Sequence, residues 1–78
     1  MTFHLDLKGL KCPLPALRTE KLLKRLGRGD LAIVESTDPL SVIDIPNLVR
    51  TRGDVLERNL KRDNIYVFHI RVTAAATG

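Results

Sequence analysis

The sequence is 78 residues long and carries 13 Lys and Arg against 9 Asp and Glu, a formal net charge of +4. Hydrophobic residues make up 44% and charged residues 28%, a balance typical of a small folded domain and not of a disordered chain. Neither a bilayer-length apolar run nor the layout of a signal peptide is present. The sequence therefore predicts one cytoplasmic domain over residues 1–78, without a membrane segment.

The cysteine content restricts the chemistry further. Cys12 is the one cysteine, so no intramolecular disulfide can form, and the chain suits a reducing compartment. Together with His4 and His69 it offers too few and too scattered ligands for zinc, and we predict neither a metal nor a cofactor. The basic residues are dispersed and only three residues are aromatic, so we expect acidic protein partners and no direct nucleic-acid binding.

A strand, a turn and a helix are predicted at the start of the chain. Phe3–Leu7 alternates apolar and polar residues, as a half-buried strand does. Gly9 follows where a turn needs a positive φ. The pattern then predicts a helix from Pro13 to Leu26, ended by Gly27 in the C′ position.

Cys12 lies between this turn and this helix. Pro13 and Pro15 fit the first helical turn, where a missing N–H costs nothing, so Cys12 should lie at or next to the N-cap. The positive end of a helix favours a thiolate, which predicts a lowered pKa and a nucleophilic sulfur. The alternative is a small buried hydrophobe that happens to precede a helix.

The helix has two predicted faces. Stepping 100° per residue, the core face comprises Pro15, Ala16, Thr19, Leu22, Leu23 and Leu26. Two leucines project instead with the basic residues, within about a turn of Cys12. We interpret this side as a docking surface for protein partners, formed by Lys11, Leu14, Leu17, Arg18 and Lys21.

The stretch Leu40–Arg52 fits either one helix or a turn followed by a shorter helix. In a helix interior, Pro46 would remove a hydrogen bond and clash with a carbonyl, at a cost of roughly 3 kcal/mol. That cost favours a helix over Ile45–Arg52 with Asp44 as its N-cap.

Three further strands are indicated. They are Asp30–Glu35, Val55–Leu60 and Ile65–Val72, with a hairpin loop at Lys61–Asn64 and a frayed tail at Thr73–Gly78. The order is β-α-β-α-β-β, and two helices can cover one face of a four-stranded sheet, which predicts a two-layer α/β (α+β) sandwich. Cys12 would then lie at the carboxyl end of the first strand, where sites in such sheets are usual.

Several motifs resemble the TusA/SirA-type sulfur carriers. They are Leu5-Asp6-x-x-Gly9-Leu10-x-Cys12-Pro13-x-Pro15, Thr37-Asp38-Pro39, Asp44-Ile45-Pro46 and Tyr66-x-Phe68-x-Ile70-Arg71. The resemblance implies the same element order with a mixed sheet, similar to the C-terminal domain of translation initiation factor 3.

The resemblance also implies a function. Cys12 would accept sulfur as a persulfide from a cysteine desulfurase or a rhodanese-type donor. It would pass that sulfur to an acceptor protein, as in tRNA 2-thiouridine formation or molybdenum cofactor maturation. The protein would be a monomeric sulfur-transfer protein and not a stand-alone enzyme. Gly9, Pro13, Pro15 and Asp6 would shape the site.

Other interpretations stay open. A non-catalytic regulatory or interaction module could use the same surface with Cys12 dispensable. An RNA-binding module is suggested only by the charge and by the analogy of fold. A ubiquitin-like carrier is set aside because the chain ends Ala76-Thr77-Gly78, without a Gly-Gly pair. Asp38 and Asp44 are interpreted as caps and not as acid–base groups.

Overall fold

The computed structural model describes residues 1–73, in which two helices pack on one face of a four-stranded sheet. The elements are β1 (Thr2–Leu7), α1 (Leu14–Leu23), β2 (Leu31–Ser36), α2 (Ser41–Arg52), β3 (Val55–Arg62) and β4 (Ile65–Arg71). The predicted fold class and element order are confirmed.

The strands lie in the order β1-β2-β4-β3. β1 and β2 are parallel, and β4 runs antiparallel to both β2 and β3. The sheet is therefore mixed, with β1, β2 and β3 pointing the same way. Consequently β1 and β2 end at the same edge of the sheet, and the loops that follow them lie side by side.

The core forms between the sheet and the helices. Strand register places Leu5 beside Val34 and Val34 beside Phe68, so alternate residues of three strands face the helices together. The buried hydrophobic residues are Leu7, Leu23, Leu26, Ala32, Val34, Ile45, Val49, Phe68, Ile70 and Val72. The predicted face of α1 is also confirmed, because Thr19 and Leu23 are buried whereas Leu17 is 53% exposed.

The predicted start of α2 is wrong. The helix begins at Ser41, and Pro46 lies inside it. The first turn is held by other bonds: the Ser41 N–H and hydroxyl both donate to the Asp38 carbonyl, at 3.0 and 2.6 Å. The Val42 carbonyl, which Pro46 leaves without its helical partner, belongs to an exposed residue that water can solvate. The hydrogen bonds of the first turn therefore offset the cost of a proline inside the helix.

α1 is shorter than predicted and does not end at Gly27. After Leu23 the chain tightens into three-residue turns, with Arg25 N–H donating to the Leu22 carbonyl at 2.9 Å. Gly27 has no left-handed φ. Its N–H instead donates to the Asp30 carboxylate at 2.8 Å, so a side chain takes the role expected of a glycine cap.

Two other boundaries differ from the predictions. The β3–β4 loop is only Asp63-Asn64, because Lys61 and Arg62 continue β3, and Asp63 adopts the positive φ of 55° that the tight turn needs. Thr73 is not frayed, since its hydroxyl donates to the Gly53 carbonyl at 2.7 Å. The rest of the predicted tail lies outside the described residues.

Candidate functional site

Cys12 lies in the loop between β1 and α1 and is exposed. Pro13 occupies the N-cap position after a cis Cys12–Pro13 peptide, and Pro15 lies in the first helical turn. Cys12 is therefore next to the N-cap, as predicted. The predicted location at the carboxyl end of β1 is also confirmed.

Two hydrogen bonds and one glycine conformation shape this loop. Gly9 has φ +88°, a conformation that side-chain-bearing residues rarely adopt, and its N–H donates to the Thr37 hydroxyl at 2.9 Å. The Asp6 carboxylate accepts a hydrogen bond from the Lys8 N–H at 3.0 Å. These contacts fit the site-shaping roles predicted for Gly9 and Asp6.

Asp38 joins the Cys12 loop to the start of α2. Its carboxylate accepts hydrogen bonds from the Cys12 N–H and, at 3.1 Å, from the Leu40 N–H. Asp38 therefore caps the turn opened by Pro39, as predicted, and the same carboxylate also fixes the backbone at the cysteine. Because Asp38 lies two residues after the end of β2, the adjacent ends of the two parallel strands build the site together.

Asp44 contacts the sulfur itself. The Cys12 thiol donates to Asp44 Oδ2 at 3.1 Å, from the first turn of α2. The hydrogen bond to Asp44, partial desolvation and the negative charges of Asp44 and Asp38 raise the pKa of Cys12. The predicted lowering of this pKa is therefore wrong, because the hydrogen bond to Asp44 and the two nearby carboxylates favour the neutral thiol. Asp44 is also not the N-cap of α2, since the helix begins three residues earlier.

The predicted docking surface is accessible. Leu14, Leu17, Arg18 and Lys21 follow the i, i+3, i+4, i+7 spacing of one helical stripe, and all four are exposed. Lys11 is exposed beside Cys12. The stripe thus begins two residues after the cysteine and runs away from it along α1, while its function as a docking surface stays a prediction.

Three residues that the sequence interpretation left out of the site contact its loop or its sulfur. They are Thr37, Asp38 and Asp44, all from the β2–α2 region. Their motifs were visible, but only the parallel pairing of β1 with β2 indicates that they reach Cys12. Asp44 also requires the earlier start of α2.

Neither a metal centre nor a membrane span is found in the part of the chain that the structure describes. Across residues 1–73, the His, Cys, Asp and Glu side chains form no group of three or more that could hold a metal ion. Neither helix there is long and apolar enough to cross a bilayer.

The fold and site define a class of small α+β proteins that present one accessible sulfur in a loop before a helix. The chain belongs to the TusA family, because residues 4–72 match the family described as Sulfurtransferase TusA. The sulfur carrier protein TusA of Allochromatium vinosum is 36% identical over 68 residues, 87% of this chain and 90% of the relative. The protein of that name from Buchnera aphidicola is 30% identical over 69 residues, 88% and 87% of the two chains.

Proposed function

We propose that this protein is a sulfur carrier in which Cys12 holds a persulfide. The observation that carries the proposal is one exposed cysteine at the ends of two parallel strands, in a chain of the TusA family. The names of its relatives support a carrier role. We further propose that the 78 residues act as one domain, monomeric and cytoplasmic.

Loading is a thiol–persulfide exchange. The Cys12 thiolate attacks the terminal sulfur of a donor persulfide, and a new S–S bond forms as the donor S–S bond breaks. The donor cysteine leaves as a thiolate, and the transferred sulfur keeps its hydrogen. Because one S–S bond replaces another, no external oxidant or reductant is consumed. No second cysteine is needed either, which suits a chain that has only one.

Unloading repeats this exchange in the other direction. A nucleophile of the acceptor attacks the outer sulfur, and Cys12 leaves as a thiolate. We propose a cysteine desulfurase or rhodanese-type protein as donor. The acceptor would be a protein of tRNA 2-thiouridine formation or of molybdenum cofactor maturation. The exposed Lys11, Arg18 and Lys21 support acidic docking sites on these partners.

Mass spectrometry tests the proposal directly. The protein is incubated with a cysteine desulfurase and L-cysteine in buffer without reductant. The expected result is a mass gain of about 32 Da, one sulfur atom, that maps to Cys12 and disappears on reduction. Cys12→Ala is the control. An unmodified protein, or the same gain in Cys12→Ala, would contradict the proposal.

The competing function is a regulatory or interaction module in which the thiol is dispensable. Cys12→Ser removes the sulfur but keeps a small polar side chain in the exposed loop. If the protein is a carrier, this variant should fail to restore thiolation in cells that lack the wild-type protein. Full restoration would favour the interaction module.

A further inference from the structure

We propose that Asp44 is a positioning residue for the sulfur chemistry of Cys12: its carboxylate accepts the thiol hydrogen and holds the unloaded carrier as a thiol. The inference rests on the proposed function, because the protonation state of Cys12 matters to a carrier through the reactions of its sulfur. It goes beyond that function by assigning control of this state to a residue 32 positions away in the sequence.

The geometry carries the inference. Cys12 Sγ lies 3.1 Å from Asp44 Oδ2, within hydrogen-bonding distance for sulfur. Asp44 is held on the first turn of α2, and Asp38 ties that turn to the Cys12 backbone. The thiol and its acceptor are thus fixed to one another by a third residue.

The charged groups that act on the thiol agree with this geometry. Asp44 faces the sulfur from α2, and Asp38 adds a second negative charge from the loop after β2. The adjacent cation, Lys11, is exposed to solvent. A carboxylate that accepts from a thiol favours the neutral form, and its charge opposes the thiolate. The direction of the Cys12 pKa, which is raised, follows from both effects.

The consequence is a carrier that reacts slowly with small electrophiles. Only the thiolate is strongly nucleophilic, so a smaller thiolate population at neutral pH slows alkylation and oxidation of the free protein. The same carboxylate orients the sulfur towards α2.

Alkylation kinetics test the inference without a sulfur donor. Iodoacetamide reacts with the Cys12 thiolate to form a thioether and release iodide, and the rate is measured across pH. Asp44→Asn should alkylate about fivefold faster at neutral pH, the Boltzmann factor for two unit charges about 4 Å apart in water. Its pH midpoint should also fall. A merely structural role would not move this midpoint.

Two variants sharpen the test. Glu20→Gln removes one negative charge about two helical turns along α1 from Cys12 and should leave the rate and midpoint unchanged. Asp44→Glu keeps the charge and should react more slowly than Asp44→Asn. The inference is overturned if Asp44→Asn matches the wild type, or if Glu20→Gln accelerates alkylation equally.

A measurement on the wild-type protein covers the case in which Asp44→Asn does not fold. The thiolate absorbance of Cys12 is titrated in the native protein and in denaturing urea. The native midpoint should lie at the higher pH, and an equal or lower native midpoint overturns the inference. Persulfide formation is scored separately. If Cys12 accepts a persulfide but Asp44→Asn alkylates at the wild-type rate, only the inference is rejected. If Asp44→Asn alkylates faster but Cys12 accepts no persulfide, the proposed function is rejected.

Discussion

Shortening the Leu17 side chain tests partner docking separately from the stability of the fold. Leu17 is 53% exposed on the stripe that starts beside Cys12. Full burial of a leucine side chain is worth about 1.5–3 kcal/mol, so a partner covering the exposed half would gain about 1 kcal/mol. Leu17→Ala should therefore raise the KM for sulfur loading about fivefold. The free energy of unfolding should change by less than about 0.5 kcal/mol.

The assay is desulfurase-dependent loading of Cys12 at increasing carrier concentration, with urea denaturation run on each variant. Leu60→Ala is the matched control, because Leu60 is 43% exposed but lies on β3, away from the stripe. It should keep the wild-type KM. Equal losses in both variants would refute the docking assignment, and unfolding of Leu17→Ala would refute the assigned helix face.

Three other substitutions test the fold. Leu23→Ala should lower the free energy of unfolding by about 3–5 kcal/mol in urea denaturation, because Leu23 is wholly buried. Asp54→Ala should cost about 3 kcal/mol in the same measurement, since the buried Asp54 carboxylate pairs with Arg52 at 2.9 Å. Asp30→Asn should destabilise the protein at neutral pH but not in strong acid, as followed by thermal denaturation across pH. This pH dependence is expected because the hydrogen bond from the Gly27 N–H lowers the pKa of Asp30.

The sign of the Asp30 effect follows from linkage. A carboxyl group whose pKa is lower in the folded than in the unfolded protein stabilises the fold at pH values above its ordinary pKa. That stabilisation is lost as the pH falls through the pKa of the folded state. Wild type and Asp30→Asn should therefore converge in acid, and a gap that is constant with pH would contradict the reasoning. If Leu23→Ala or Asp54→Ala lowers the free energy of unfolding by less than about 1 kcal/mol, the side chain replaced in that variant is less buried than the structure shows.

Local periodicity was enough to predict most of the fold. The 100° stepping along α1 separates buried Leu23 from exposed Leu17, and the alternation of Phe3–Leu7 matches a strand that buries Leu7 and exposes His4 and Asp6. These patterns are strong because each element buries one face. The order of elements then limits the arrangement to few topologies.

The start of α2 was predicted incorrectly because the hydrogen bonds that support it are not visible in the residue pattern. The sequence shows the cost of Pro46, but not that the Ser41 N–H and hydroxyl both donate to the Asp38 carbonyl and hold this turn in helical form. The predicted direction of the Cys12 pKa was wrong because it depends on a contact between residues that are distant in the sequence. A helix end is visible in the sequence, whereas Asp44 reaches the sulfur only after β1 and β2 have paired.

The position of β4 has a consequence for how the chain folds during synthesis. β4 is the last described strand, yet it lies between β2 and β3 in the sheet. Before β4 leaves the ribosome, β3 lacks the strand with which it pairs in residues 1–73, and the apolar side chains of Phe68 and Ile70 are missing from the core. The β1–β2 pair that frames Cys12 can form earlier, but the layer beneath both helices closes only once β4 inserts. Cys12 is therefore synthesised early, whereas the core beneath the two helices is completed only after β4 has been made.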